Sequence, residues 1–183
     1  MPKTDPAREA LLTALEASGV SIPLWDGILI EETVRVAPGA TILPGCILRG
    51  NTTIAAGSVI GPGSVLTDAV IGKNCIVKNT YITESTLEEN VSIGPFSQVR
   101  PGCHIAAGCK IGDFVEVKNS HIGQKTAIAH LTYVGDTDCG SGVNFGCGVA
   151  IANFNGKEKF RTTIGDGAFL GCNTNLVAPV TIG

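Results

Sequence analysis

Aliphatic residues recur about every six positions from residue 30 onward, and small or polar residues fill the positions between them. This period is too short for a helical solenoid or a propeller blade and predicts a parallel β-helix, in which three hexads form one triangular coil of about 18 residues. A few steps shrink to five residues, and the long step from Ile151 to Ile164 predicts an inserted loop. The recurring aliphatic residues stand at positions 36, 42, 48, 54, 60, 66, 71, 77, 82, 87, 93, 99, 105, 111, 117, 122, 128 and 134.

Within each hexad the aliphatic residue at position i is expected to point into the coil, together with a small residue at i+4. Four of the seven cysteines occupy this small inward position, namely Cys46, Cys75, Cys103 and Cys109. Seven is an odd number and no CxxC motif occurs, which disfavours a disulfide framework and a zinc knuckle. These cysteines are therefore interpreted as small buried residues.

The segment before the repeat has a different pattern. Asp5 is a good N-cap, Pro6 suits the first helical position and Gly19 can end a helix. The sequence between them is rich in Ala, Leu and Glu and predicts a short amphipathic helix from about 6 to 18. The predicted organisation is a helix and connecting arm over 1–27, followed by a β-helix domain over 28–183.

Composition and charge narrow the function classes. The chain has 183 residues and a formal net charge of -3, so it lacks the clustered basic excess of a nucleic-acid-binding protein. No stretch approaches the roughly 20 apolar residues of a membrane span, and the first residues carry no export signal. A cytoplasmic protein without membrane association is expected.

The repeat register places candidate chemistry on one face. Arg100 and Lys118 occupy the same hexad position one coil apart, so they are expected to stack about 5 Å apart along the axis. Tyr133 is expected at the corner leading to this face, one coil further on. The insertion after Ile151 starts on the same face and carries Asn153, Phe154, Lys157, Lys159 and Arg161. Such a mixture of basic, aromatic and amide groups suits a sugar phosphate, although a solvated edge is the simpler interpretation.

His130 is a candidate general base, because neutral imidazole can accept a proton from an attacking amine near pH 7. The register places it two coils above the repeat containing Ile93, on the adjoining face. A surface histidine is the ordinary alternative. His104 and His121 are interpreted as surface residues. The three histidines are assigned to different hexad positions, which argues against a zinc carbonic anhydrase site.

The later repeats resemble a known family. The chain is similar to the C-terminal acetyltransferase domain of bacterial bifunctional N-acetylglucosamine-1-phosphate uridylyltransferase / glucosamine-1-phosphate N-acetyltransferase, a hexapeptide-repeat acyltransferase. The resemblance implies an all-β fold, a left-handed parallel β-helix with a short N-terminal helix. The motifs that carry it are GPFSQVRPG (94–102), IGDFVEVKNS (111–120), AHLTYVGD (129–136), GVNFGCGV (142–149), ANFNGKEKF (152–160) and IGDGAFLGCNTNLVAPVTIG (164–183).

The resemblance implies acetyl transfer from acetyl-CoA to the amine of glucosamine 1-phosphate, a precursor step for peptidoglycan and lipopolysaccharide sugars, with no metal required. It implies that His130 is the catalytic base. It implies the following substrate contacts: Arg100, Lys118, Tyr133, Asn144 and Lys159. It implies the following contacts to acetyl-CoA: Cys147, Asn153, Phe154 and Cys172. Phe154 stands where the family commonly has Tyr, and Cys172 replaces the Ser of some members.

The resemblance also implies a homotrimer with sites between chains, in which Asn144 reaches the site across a subunit boundary. The nucleotide-binding signature of the uridylyltransferase half has no counterpart, so no uridylyl transfer is expected and a separate nucleotidyltransferase is a candidate partner. The repeat stops at Gly183, which leaves open a natural short form or a truncated one. Two alternatives remain open: an acyltransferase for another amino sugar, and a non-catalytic trimeric sugar-phosphate-binding or scaffold subunit.

Overall fold

The computed structural model describes residues 5–183 as one α-helix followed by 26 short β-strands. The helix, α1, spans Pro6–Ala17. The carboxylate of Asp5 caps it by accepting hydrogen bonds from the backbone N–H groups of Ala7 and Arg8. Gly19 follows at a φ of 98°, in the left-handed region that ends a helix. The predicted helix is confirmed. Within the described residues, no helix is long and apolar enough to span a membrane.

The strands form three parallel sheets, and each strand pairs with the strand three positions later in the chain. The first face consists of β1 (Leu29–Ile30), β4 (Ile47–Arg49), β7 (Val65–Thr67), β10 (Thr80–Thr83), β13 (Ser97–Val99), β16 (Glu116–Lys118), β19 (Tyr133–Gly135), β22 (Ala150–Ala152) and β25 (Asn175–Val177). The second face consists of β2 (Arg35–Val36), β5 (Thr53–Ile54), β8 (Val70–Ile71), β11 (Thr86–Leu87), β14 (His104–Ile105), β17 (His121–Ile122), β20 (Thr137–Cys139), β23 (Thr162–Ile164) and β26 (Val180–Ile182). The third face consists of β3 (Thr41–Ile42), β6 (Val59–Ile60), β9 (Ile76–Val77), β12 (Ser92–Ile93), β15 (Lys110–Asp113), β18 (Ala127–His130), β21 (Asn144–Phe145) and β24 (Phe169–Leu170).

The core is the interior of this triangular coil. Every aliphatic position of the predicted repeat is buried except Val36, which is partly buried near the helical end. Burying such a side chain fully contributes roughly 1.5–3 kcal/mol. The small residues of the repeat are also inside, and the four cysteines predicted at this position are at most 4% exposed.

The five-residue steps keep the core in register by shortening the turn. In a six-residue step, the residue with a positive φ lies three positions after the inward aliphatic residue, as Gly102 (φ 80°) does after Val99. In a five-residue step, the residue with a positive φ lies only two positions after the aliphatic residue, as Asn119 (φ 44°) does after Val117. In both cases a small buried residue precedes the next aliphatic by two positions.

The helix packs against the first coil through Leu12, which is fully buried. Ser21 already forms a parallel bridge with Thr41, so ladder hydrogen bonds begin before residue 28, where the domain boundary is predicted.

Successive coils approach most closely just after the inward aliphatic residue. Gly112 directly follows Ile111, and a Cβ at this position would overlap the carbonyl oxygen of Ala129 in the next coil. Gly171 has the same position after Leu170 but lies in the last coil, where the nearest atom to such a Cβ is Thr174 Oγ1 at 3.8 Å. The coil above therefore excludes a side chain at Gly112, whereas no coil lies above Gly171 to exclude one.

We predict that Gly112→Ala lowers the free energy of unfolding by about 1–3 kcal/mol, because overlap with backbone forces the coils apart. The matched variant Gly171→Ala should change it by less than about 0.5 kcal/mol. Urea unfolding followed by far-UV circular dichroism measures both. Equal losses in the two variants would contradict the explanation by coil contact.

Candidate functional site

Two outward columns of side chains cross the first face in successive coils. One contains Glu116 and Tyr133, which are aligned between β16 and β19. The other contains Arg100 and Lys118, because Val99 is aligned with Val117. Arg100 and Lys118 therefore lie one coil apart on one face, as predicted. The Arg100 guanidinium donates to Glu116 Oε1 at 2.8 Å, and this hydrogen bond raises the pKa of Arg100.

A second group of charges surrounds Asp136, at the corner between the first and second faces. Its side chain is 7% exposed and lies 3.9 Å from Lys118 Nζ. Burial acts to raise the pKa of Asp136, but hydrogen bonds from Asn119 and Asn153 and the charges of Lys118 and Lys159 outweigh it and lower the pKa. Asn119 Nδ2 donates at 2.5 Å. The buried carboxylate of Asp136 thus accepts hydrogen bonds from two amides and attracts two lysines.

Lys159 reaches this corner from the inserted loop. Its pKa is lowered mainly by Lys118, because the two ammonium groups lie close together and repel each other. Two cations this close favour an anion between them. The pair is a better candidate anion site than the predicted Arg100–Lys118 pair, because Arg100 already has Glu116 as its partner.

Tyr133 and Asn153 lie over Gly135. A Cβ at Gly135 would collide with the Tyr133 hydroxyl and would lie 2.8 Å from Asn153 Nδ2. Asn153 is 7% exposed and donates to Asp136 and, at 3.4 Å, to the Tyr133 hydroxyl. The glycine therefore opens the space in which these two side chains meet the Asp136 cluster.

The inserted loop folds back on itself and is held to the corner. Phe154 and Lys159 form an antiparallel bridge, and Phe154 is 58% exposed. Arg161 binds Asp138 through two hydrogen bonds of 2.8 and 2.5 Å and donates to the Asn119 carbonyl at 3.2 Å. Arg161 therefore anchors the loop to the corner, and the loop presents Lys159 to Lys118.

His130 ends β18 on the third face, at the corner that leads into the first face. It lies two coils above Ile93, as predicted. Its Nδ1 lies 2.7 Å from Asp113 Oδ1. Lys118, in contrast, lies in the column of Gly135, five residues further along the coil. Within one chain, the candidate base and the lysine pair occupy opposite edges of the first face.

The remaining predicted site residues lie along the third face. The Gly148 N–H donates to the His130 carbonyl and the Asn173 N–H to the Cys147 carbonyl. This pattern places Cys147 one coil above His130, and Cys172 one coil above Cys147. Asn144 is exposed at the other end of this face, aligned with Ala127, and one chain does not bring it to His130.

One sequence interpretation is wrong. His104 and His121 do not occupy different hexad positions: they are aligned neighbours on the second face, with ring centroids 4.9 Å apart. The five-residue step from Val117 to Ile122 shifts the count, so both histidines directly precede an inward isoleucine. His104 is also paired with Glu88 at 2.9 Å. No group of three or more His, Cys, Asp or Glu within residues 5–183 is arranged to hold a metal ion.

Sequence reasoning missed Asp113, Glu116 and Asp136. Asp113 could have been found, because it follows Ile111 by two residues as His130 follows Ile128. Asp136 carried no such signal, since its role depends on the loop that brings Lys159 and Asn153 to it.

Comparisons with known proteins agree with this architecture. The model of the bacterial transferase hexapeptide repeat matches residues 84–119. The bifunctional protein GlmU of Brevibacillus brevis is 44% identical over 176 residues, which cover 96% of this chain. GlmU of Acetivibrio thermocellus is 46% identical over 175 residues. The chain is similar to GlmU over most of its own length. It spans 38% of the length of each of these two GlmU proteins.

Solved structures share the fold. The UDP-N-acetylglucosamine acyltransferases of Arabidopsis and Campylobacter jejuni superpose with a TM-score of 0.53 each, at 17% and 15% identity. They cover 81% and 86% of this chain, which covers 62% and 67% of theirs. The predicted fold class, a left-handed parallel β-helix with a short N-terminal helix, is confirmed.

We predict that Cys147 and Cys172 are the cysteines that react in the folded protein. The other five are buried, and burial raises the pKa of Cys46, Cys75, Cys103 and Cys109, and that of Cys139 to about 12. Buried thiols remain protonated and inaccessible. Brief treatment with iodoacetamide and peptide mass spectrometry should find Cys172 labelled first and Cys147 second. The urea-unfolded chain, labelled at all seven cysteines, is the control. Native labelling of Cys103 at the rate of Cys172 would contradict the prediction.

We predict that Asp136→Asn lowers the free energy of unfolding by about 1–3 kcal/mol at pH 7, because the amides of Asn119 and Asn153 and the two lysines lose the buried anion they face. A lowered pKa stabilises the fold above the unfolded value of about 3.9 and stops doing so as the pH falls through the folded value. The difference between the variant and the unchanged chain should therefore shrink below about pH 4. Urea unfolding at pH 7 and near pH 3 tests this, and a difference that does not change with pH would refute it.

Proposed function

We propose that this chain transfers the acetyl group of acetyl-CoA to the amine of glucosamine 1-phosphate, in the synthesis of cell-envelope amino sugars. The observation that supports this most is that Lys118 and Lys159 converge beside Asp136 at one edge of the first face, while His130 lies at the corner of its other edge. The similarity to GlmU over 96% of the chain supports the same activity.

The phosphate of the substrate would bind between the two lysines. A dianionic phosphate relieves their mutual repulsion and accepts several hydrogen bonds from them. Arg100, held by Glu116, adds a third positive charge one coil below Lys118. Tyr133 supplies a hydroxyl that suits sugar hydroxyls, and Asn153, which the resemblance assigns to acetyl-CoA, lies beside Tyr133 and supplies an amide that suits them as well.

His130 would act as the general base. The amine nitrogen attacks the thioester carbonyl carbon while its proton passes to His130, and collapse of the tetrahedral intermediate breaks the C–S bond. The CoA thiolate then takes up a proton, so atoms and charge balance without a redox partner. The free ammonium form has no lone pair, which is why the step requires a base.

Acetyl-CoA would lie along the third face. Cys147 and Cys172 follow His130 in successive coils, and both side chains are small and uncharged. They leave room for a pantetheine arm, and Phe154 offers an exposed apolar contact from the loop. This arrangement would bring the thioester carbonyl next to the base.

A homotrimer with sites between chains fits the geometry. The amine and phosphate of glucosamine 1-phosphate are on adjacent carbons, whereas His130 and the column of Lys118 are five residues apart along a coil. The corner at Leu131 lies between them, so the two groups belong to strands of different faces. A neighbouring chain would complete the site, and Asn144 is placed to contribute to it from another chain. A separate nucleotidyltransferase, to convert the product to a nucleotide sugar, remains a proposed partner.

An exposed apolar ridge is available for such contacts between chains. Phe96, Phe114 and Leu131 occupy the same turn position in successive coils and are 57%, 55% and 61% exposed. The two phenyl rings stack with centroids 5.6 Å apart. Burial of this ridge against a second copy would stabilise an oligomer by the hydrophobic effect.

We predict that the chain produces N-acetylglucosamine 1-phosphate from acetyl-CoA and glucosamine 1-phosphate, and that His130→Ala lowers kcat by about 10²–10⁴-fold. Direct detection of the product by mass spectrometry is the appropriate readout, since a thiol dye would react with cysteines. His121→Ala, an exposed histidine on the second face, is the matched control and should retain full activity.

Other outcomes would replace this proposal. Turnover with a different amino sugar in a panel of acceptors would change the substrate. Binding of the sugar phosphate without any acetyl transfer, by a chain shown to be trimeric, would favour a non-catalytic binding or scaffold subunit. Undiminished turnover in His130→Ala would remove this residue from the mechanism.

A further inference from the structure

One polar column runs along the corner between the third and first faces. Asp113 and His130 are aligned in β15 and β18. The Leu131 N–H donates to the Asp113 carbonyl at 3.2 Å, which ties the turn after His130 to the coil below. Cys147 follows one coil above. His130 therefore lies between a carboxylate and a thiol, on a backbone fixed by ladder hydrogen bonds.

The contact between Asp113 and His130 is direct. His130 Nδ1 lies 2.7 Å from Asp113 Oδ1, and the two side chains are 57% and 38% exposed. The hydrogen bond with His130 lowers the pKa of Asp113, so this carboxyl is ionised at neutral pH. An ionised carboxylate only accepts hydrogen bonds, which means that Nδ1 carries the proton and donates it.

We propose that Asp113 is a positioning residue for His130, which holds the imidazole in the Nδ1–H tautomer and turns the lone pair of Nε2 toward the substrate amine. This inference rests on the proposed function of His130 as the base. Within residues 5–183, the side chain of His130 makes its hydrogen bond to Asp113 alone, so Nε2 is available for proton transfer. The carboxylate also stabilises the imidazolium that forms when the amine is deprotonated.

The pair of Asp113 and His130 could also be an ordinary surface ion pair without a role in catalysis. The chain contains a second carboxylate–histidine pair of similar length and exposure, Glu88 and His104, 2.9 Å apart with Glu88 37% exposed. That pair lies on the second face, away from both the lysine pair and the cysteine column. Surface pairs of this kind contribute little to stability. Loss of either pair should therefore leave the fold intact, while only the pair with His130 affects catalysis.

The test compares Asp113→Ala with Glu88→Ala in the full chain. We expect Asp113→Ala to lower kcat for acetyl transfer by about 10–100-fold and to change both KM values by less than about twofold, because substrate binding does not depend on the tautomer. Glu88→Ala should keep kcat and KM even though it also loses the hydrogen bond from the Ala107 N–H to Glu88 Oε2, and Asp113→Ala should unfold at the same temperature as the unchanged chain. A kcat for Asp113→Ala within twofold of the unchanged value would overturn the proposal.

A second readout does not depend on activity. The ¹⁵N chemical shifts of the His130 ring distinguish the two neutral tautomers by NMR. We expect Nδ1–H in the unchanged chain and a mixture with Nε2–H in Asp113→Ala. The Nε2–H tautomer in the unchanged chain, or no change in Asp113→Ala, would refute the positioning role. If the ring shifts show Nδ1–H and its loss in Asp113→Ala, but the chain transfers no acetyl group, the proposed function is wrong. Asp113 would still set the tautomer of His130 in that case.

Discussion

The parallel hydrogen bonding of one coil to the next is the interaction on which the rest of this structure depends. It fixes a short distance between successive coils, and every position of the repeat must fit within it. Aliphatic residues fill the interior, small residues occupy the second inward position, and glycine stands where the backbone of the next coil approaches, as at Gly112. The low aromatic content, 5% of the chain, follows from the narrow interior.

The same stacking builds the candidate site. Residues 17 or 18 apart in the sequence become direct neighbours, so Asp113 lies beside His130 and Arg100 lies below Lys118. The stacking also brings like charges together. Asp136 compensates for this, because its buried carboxylate attracts Lys118 and Lys159 and accepts hydrogen bonds from two amides. A rigid ladder thus holds the charged groups at set positions without a deep pocket.

A site on the outside of a coil has a physical cost. His130 and the loop residue Phe154 are 57% and 58% exposed, and no part of residues 5–183 covers them. Exposed charges interact weakly, since water screens them. A neighbouring copy that covers the first face would lower the local dielectric and bring in Asn144. The exposed ridge of Phe96, Phe114 and Leu131 supplies apolar surface for such a contact.

The sequence by itself determined the helix, the three-sided repeat and the stacking of Arg100 on Lys118, because the period of the aliphatic residues fixes which positions share a face. The tertiary structure decided the contacts of the side chains. The five-residue steps moved His104 and His121 into one column, and the inserted loop brought Lys159 to Lys118. A period counts backbone positions, whereas a long side chain or a folded loop selects its partner by charge and reach, and that choice depends on atoms far apart in the sequence.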